Sequence, residues 1–152
     1  VNKPQPTWKL LLRWLPAILW MLLIFLFSHQ KGEGSGRLSR LIVETLAAYG
    51  IDLFALLGEY AFVFIRKAAH VTEYFILFQL LFLALGKSVQ WPKRAWVALA
   101  ITILYAASDE FHQSFIPKRT GLISDVFIDS LGGILGMLLN GSIRWLRQRS
   151  KK

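Results

Sequence analysis

The chain has 152 residues, with 18 Lys and Arg against nine Asp and Glu, six Trp, eleven Phe and no cysteine. That length suits one domain, and a mean hydropathy of +0.46 is too apolar for an ordinary soluble domain and fits a polytopic membrane protein. The absent cysteine excludes disulfides, a thiolate metal site and a Cys nucleophile, and the net charge of +9 does not point to nucleic acid, because the basic residues flank apolar runs.

Residues 1–9 are short, polar and basic. Residues 10–28 read as the first span, with Arg13 placed to snorkel and Trp8 and Trp14 as interfacial belt residues. No small-x-small cleavage site follows, so the segment reads as a retained helix rather than a signal peptide. Pro16 either kinks this helix or sits in its first turn. Residues 28–36 form a polar turn. From Leu38 the apolar positions Leu38, Leu41, Ile42, Leu46 and Tyr49, with Thr45 weakly, mark an amphipathic helix resting on the membrane surface, and Gly50 is its expected C-cap. Residues 51–58 are a second short apolar piece. Further spans are expected over about 60–86, 94–112 and 122–143, with a basic turn at 86–94, another turn at 117–121 and a basic tail at 144–152. The expected fold is all-α: one membrane domain over residues 1–152, with four transmembrane helices and an amphipathic extracytoplasmic helix between the first and second.

Four spans put both termini on one side. That side collects Lys3, Lys9, Arg13, Lys87, Lys93, Arg94, Arg144, Arg147, Arg149, Lys151 and Lys152. The other side has Lys31, Arg37, Arg40, Lys118 and Arg119, with Arg66 and Lys67 buried near it. The basic majority should be cytoplasmic. Helical rise places Glu73, Asp109 and Asp129 each roughly 20 Å from a cytoplasmic basic residue, in a hydrocarbon core ~30 Å thick. Three stretches of three spans therefore bring ionisable groups to one depth, just inside the outer face.

Burying such a group in a span costs about 2.5–3.5 kcal/mol on insertion scales, so these residues should face one another. Spacing allows it. Arg66, His70 and Glu73 share one helical face, Asp125 and Asp129 are four apart, and Asp109, His112 and Gln113 line another face. Gly132 and Gly136 extend the face of Asp129 and admit a close neighbouring helix. Three readings compete. In the catalytic one, His70 or His112 is the acid/base, Glu73, Asp109 or Glu110 assists, and Arg66 and Arg119 hold an anion such as a lipid phosphate. Lys67, Tyr74, Ser108, Gln113, Asp125 and Asp129 complete that binding set. Ser108 as a nucleophile is the weaker option, since a serine four residues before a histidine is usually a local hydrogen bonder. In the second reading His70, Glu73, Asp109, His112 and Asp129 hold a divalent metal. In the third the network is structural and fixes helix register, in a non-enzymatic scaffold or partner protein.

These stretches resemble the VanZ-like family of bacterial membrane proteins. The matching pieces are F-S-H-Q at 27–30, R-K-A-A-H-V-T-E-Y at 66–74, S-D-E-F-H-Q-S-F-I-P-K-R at 108–119 and D-V-F-I-D-S-L-G-G at 125–133. The family usually shows Ser-Gln after the first span and Pro-Gly-Arg in the third motif; here His29 separates Ser28 from Gln30, and Lys118 stands in for the glycine. The resemblance implies a multi-pass protein of the bacterial cytoplasmic membrane. The family's namesake is linked to low-level resistance to teicoplanin, a lipoglycopeptide. That implies action on, or binding of, an anionic outer-leaflet lipid or lipid-linked envelope precursor.

Overall fold

The computed structural model describes residues 7–29, 32–117 and 121–150. They form six helices: α1 (Thr7–Ser28), α2 (Gly32–Ala48), α3 (Leu53–Leu57), α4 (Tyr60–Ala84), α5 (Trp91–Gln113) and α6 (Ile123–Arg149), and no strand occurs among the described residues. The all-helical expectation is met. Helices α1, α4 and α6 are long and apolar enough to cross a membrane. Helix α5 is long enough at ~35 Å, but Lys93 and Arg94 at one end and Asp109 and Glu110 at the other lower its hydropathy.

Helix α4 is the hub, and α1, α2, α3, α5 and α6 all pack on it. Its buried face is Tyr74, Leu77, Phe78 and Leu81, a helical repeat of three and four. Helix α5 meets it with Ala95, Ala98, Leu99, Thr102 and Ala106, and α1 contributes Ala17 and Ile24. Helix α6 has almost no apolar side chain to give. Its buried residues are Asp129, Ser130, Gly132, Gly133 and Gly136. A Cβ on Gly132 would collide with the carbonyl oxygen of Val71, and one on Gly136 would stand 2.6 Å from the Phe78 ring. The expected close approach at Gly132 and Gly136 is therefore met, with backbone against backbone at Gly132 and backbone against the Phe78 ring at Gly136. Around this core the outward residues are apolar. Leu11, Leu15, Leu22, Leu104, Phe127 and Leu138 are all exposed, an inverted distribution that suits a lipid surround.

Several boundaries differ from expectation. Helix α2 starts at Gly32, inside what reads as a polar turn. Glycine costs about 1 kcal/mol per residue in a helix, and packing of Ser39 and Val43 against α4 carries the segment regardless. That packing also splits the apolar stripe. Ile42 and Leu46 turn half inward, whereas Leu38, Leu41 and Tyr49 point out. Gly50 ends the helix as expected, at φ +87°, with the Ile51 N–H returning to the Leu46 carbonyl. Pro16 lies well inside α1 and not in its first turn, since the helix begins at Thr7. The basic tail is helical to Arg149, and the Arg149 guanidinium sits 3.8 Å from the Trp145 ring centroid.

Two glycine substitutions check this packing. Gly132→Ala should destabilise by about 1–3 kcal/mol, because backbone atoms of α4 have to move. Gly36→Ala, where an added Cβ meets nothing within 4 Å, should stabilise α2 by up to about 1 kcal/mol. Thermal unfolding in detergent reads both.

Candidate functional site

The buried faces of three helices turn polar toward the same end. On α4 the stripe Leu81, Leu77, Tyr74 continues backwards to His70 and Lys67. On α5 the stripe Thr102, Ala106 continues to Asp109 and Gln113. On α6 it runs from Gly136 and Gly132 to Asp129 and Asp125. Helical periodicity thus carries each polar side chain into the same interior, in line with the expected convergence.

Three tied groups hold this end together. The Tyr74 hydroxyl donates to Asp109 Oδ2 at 3.1 Å, and the Gln113 amide donates to the same oxygen at 3.0 Å. The Lys67 ammonium donates to Asp125 Oδ1 at 2.7 Å, joining α4 to α6. The Glu110 carboxylate accepts the N–H of Leu122, the residue before α6, at 3.1 Å, and so ties the end of α5 to the start of α6. Gly121 lets the chain pass there, since a Cβ on it would strike the Glu110 carbonyl oxygen. Glu110, a candidate for acid/base work, is thus a helix-start ligand.

Other oxygens are buried without a hydrogen-bond partner among the described residues. They are Asp109 Oδ1, both carboxylate oxygens of Asp129 and the Ser28 hydroxyl. Asp129 is only 1% exposed. Its Oδ1 stands 3.4 Å from His70 Nδ1, an ion-pair distance without hydrogen-bond geometry. Buried polar atoms are seldom left in that state, and such atoms mark strain, catalysis or a missing partner.

A cleft of about 100 Å³ opens beside them, between α1, α2, α4 and α5. Ser28, Ser39, Arg66, His70, Glu73 and Asp109 supply its polar wall, and Ile24, Phe27, Leu38 and Ile42 belong to its apolar wall. Trp20 donates to the Glu73 carbonyl at 2.9 Å and Tyr105 to the Met21 carbonyl, so α1 is fastened to both α4 and α5 beside this opening. Sequence reading missed Ser39, which looks like part of the solvated face of an amphipathic helix. It placed Ser28 only within the F-S-H-Q stretch, and it set no value on Trp20 and Tyr105, whose partners are distant in sequence.

Some candidates fall elsewhere. His112 turns to α1, where its Nε2 lies 3.3 Å from His29 Nδ1 and its ring stacks at 5.5 Å on that histidine, with Phe25 alongside. Arg66 is exposed rather than buried, although it lines the cleft. Ser108 is exposed, and its hydroxyl donates to the Tyr105 carbonyl at 2.8 Å, as a local helix hydrogen bonder does. Arg119 lies outside the described residues. Among the described residues no three His, Asp or Glu side chains gather as a metal-ligating group, so the proposed five-donor set is not assembled.

The family model described as VanZ/LLP1 matches residues 13–144 and so takes in all the stretches that form this end of the molecule. No curated protein matches the chain, and no solved structure does.

The hydrogen bonds predict a contrast. Tyr74→Phe removes a donor from a carboxylate that already has one free oxygen, and should cost about 1–3 kcal/mol. Ser108→Ala should stay within about 0.5 kcal/mol, because it removes only an exposed, local bond. Chemical or thermal unfolding of the purified protein checks both.

Proposed function

The chain belongs to the VanZ-like family, and from that premise we propose that it is a multi-pass protein of the bacterial cytoplasmic membrane, whose polar end faces outward and binds an outer-leaflet lipid or lipid-linked envelope precursor. In this reading α5 is the fourth span beside α1, α4 and α6, and both termini are cytoplasmic. Helix α2 lies at the outer surface with Leu38, Leu41 and Tyr49 toward lipid. The distribution of charge supports that orientation, since the basic residues concentrate at the opposite end.

The observation that carries the reading is the cleft with buried, unpartnered acceptors beside it. A network built only for stability would satisfy its members, as Lys67 with Asp125 and Glu110 with Leu122 do. Asp129 and the free oxygen of Asp109 are not satisfied in that way. His70 stands between the cleft and Asp129, placed to hand a proton or a hydrogen bond to a ligand while Asp129 orients its ring. The exposed guanidinium of Arg66 at the wall suits a lipid phosphate, which it can hold in a bidentate fork. The apolar side of the cleft suits the start of an acyl or prenyl chain. Occupying such a precursor is a route to teicoplanin tolerance.

A second reading, a non-enzymatic scaffold, is favoured by the tied groups alone. The two diverge at residues that carry no structural bond among the described residues. Ser28→Ala removes a hydroxyl with no partner, and Arg66→Gln changes an exposed side chain, so both variants should melt within a few degrees of the parent protein, with shifts below about 0.5 kcal/mol. Both should nonetheless reduce teicoplanin tolerance in cells that depend on this protein. Unchanged tolerance in both would sink the binding reading. The scaffold reading expects Lys67→Met to destabilise the protein by about 1–3 kcal/mol, since the pair is part-buried, with rescue by adding Asp125→Leu.

Orientation has its own check. A reporter fused after residue 152 should behave as cytoplasmic, and one inserted near Ser35 as external. The reverse pair of results would remove the outward-facing cleft.

A further inference from the structure

The opposite end of the molecule carries a second opening, distinct in place and chemistry from the cleft. It is a crevice of about 690 Å³ between α4, α5 and α6. Four cations line it, Lys87, Arg94, Arg144 and Arg147, together with Trp91. Among the described residues no Asp or Glu lines it. All nine acidic residues of the chain fall within 33–73 and 109–129, the stretches that build the polar end. The ion pairs of Lys67 with Asp125 and of His70 with Asp129 lie there too. Among the described residues the cations of the crevice therefore have no Asp or Glu side chain beside them, which leaves them open to an outside anion.

The crevice is built rather than merely charged. The Arg94 Nε donates to the Phe82 carbonyl, and its guanidinium lies 3.6 Å from the Phe82 ring centroid. That stacking fixes the planar fork. Arg144 sits 5.4 Å from the Trp91 ring centroid, so α6 and α5 are held in register across the opening. Asn140 donates to Gln79 at 2.8 Å, and Gln79 to the Gly136 carbonyl, which closes the inner end with satisfied amides. Arg13 of α1 reaches the turn at Gly86, where an added Cβ would stand 2.8 Å from its guanidinium.

We propose that this crevice binds the headgroup phosphate of an anionic glycerophospholipid. A free phosphate would meet the same cations, but the walls decide for a lipid. Leu83 is 64% exposed and Ile143 is also exposed, both lining the crevice on the apolar flank of α4 and α6. The ligand that matches has a phosphodiester for the arginines and an acyl chain for that flank. Trp91 lies where an interfacial indole is favoured. Basic crevices between membrane helices recognise anionic headgroups in this way, through charge-assisted hydrogen bonds that diffuse attraction to a charged surface lacks.

The test uses the purified full-length chain in nonionic detergent, melted with dioleoylphosphatidylglycerol, with dioleoylphosphatidylcholine at equal mole fraction, or with inorganic phosphate. A ligand that binds only the folded state raises the melting temperature. The phosphatidylglycerol should raise it, and the other two should not. Arg144→Gln with Arg147→Gln changes two exposed crevice residues and should reduce that shift to less than about half, the loss expected when two headgroup contacts go. Lys93→Gln with Arg149→Gln removes the same charge from the same end outside the crevice and should keep most of it. Native mass spectrometry should show bound phosphatidylglycerol lost in the first variant and retained in the second. Equal loss in the two variants would reduce the effect to surface charge and overturn the site. An equal rise with phosphate alone, or with phosphatidylcholine, would overturn the lipid assignment.

Discussion

The close contact between α4 and α6 is the constraint on which the polar end depends. Gly132 of α6 lies against the α4 backbone at Val71 and Phe75, nearer than any side chain permits. That proximity brings Asp129 of α6, one helical turn away, to His70 of α4, one residue from Val71. It brings Lys67 and Asp125 together one turn further on. A larger residue at 132 would separate the helices and strand each of these charges. Small residues perform this role in membrane helices because lipid offers no hydrophobic drive for association, and packing at short range must supply it.

The charges at that end divide by what they touch. Asp125, Glu110 and one oxygen of Asp109 are bound to groups that tie helix to helix. Asp129 and the other oxygen of Asp109 are buried without such a tie. Burying the first class is offset by hydrogen bonds that specify helix register. Burying the second is offset by no hydrogen bond among the described residues, only by the His70 ring 3.4 Å from Asp129, which is the pattern of a site that trades stability for a ligand. His70 belongs to both, since it faces the cleft on one side and Asp129 on the other.

The two ends of the molecule solve opposite electrostatic problems. The polar end collects every acidic residue and answers part of that charge internally. The basic end has cations and no Asp or Glu side chain. Its arginines are steadied by aromatic rings and backbone carbonyls, Arg94 on Phe82 and Arg144 over Trp91. Those partners orient a guanidinium without neutralising it. The chain is therefore polarised along its helices, as the positive-inside rule produces in a membrane protein.

Composition, apolar run length and helical spacing by themselves determined the helical class, the position of the long helices and the faces on which His70, Asp109 and Asp129 lie. These are local properties: an apolar run must bury its backbone hydrogen bonds as a helix, and a spacing of three or four residues puts side chains on one face. The glycines at 132 and 136 were legible for the same reason. Only the tertiary structure decided which face meets which neighbour. Asp109 and His112 are three residues apart, yet Asp109 turns to Tyr74 of α4 and His112 to His29, just past the end of α1, because the two helices sit on different flanks of α5. Glu110 reads as a candidate acid and holds the start of α6 instead, a role set by where the chain returns after the turn. Ser39 carries no motif of its own; it lines the cleft because α2 folds back onto α4, which its glycine-rich start gave no sign of. Spacing fixes the angle of a residue on its own helix, but the rotation of that helix against its neighbours is set by packing of residues far away in the chain.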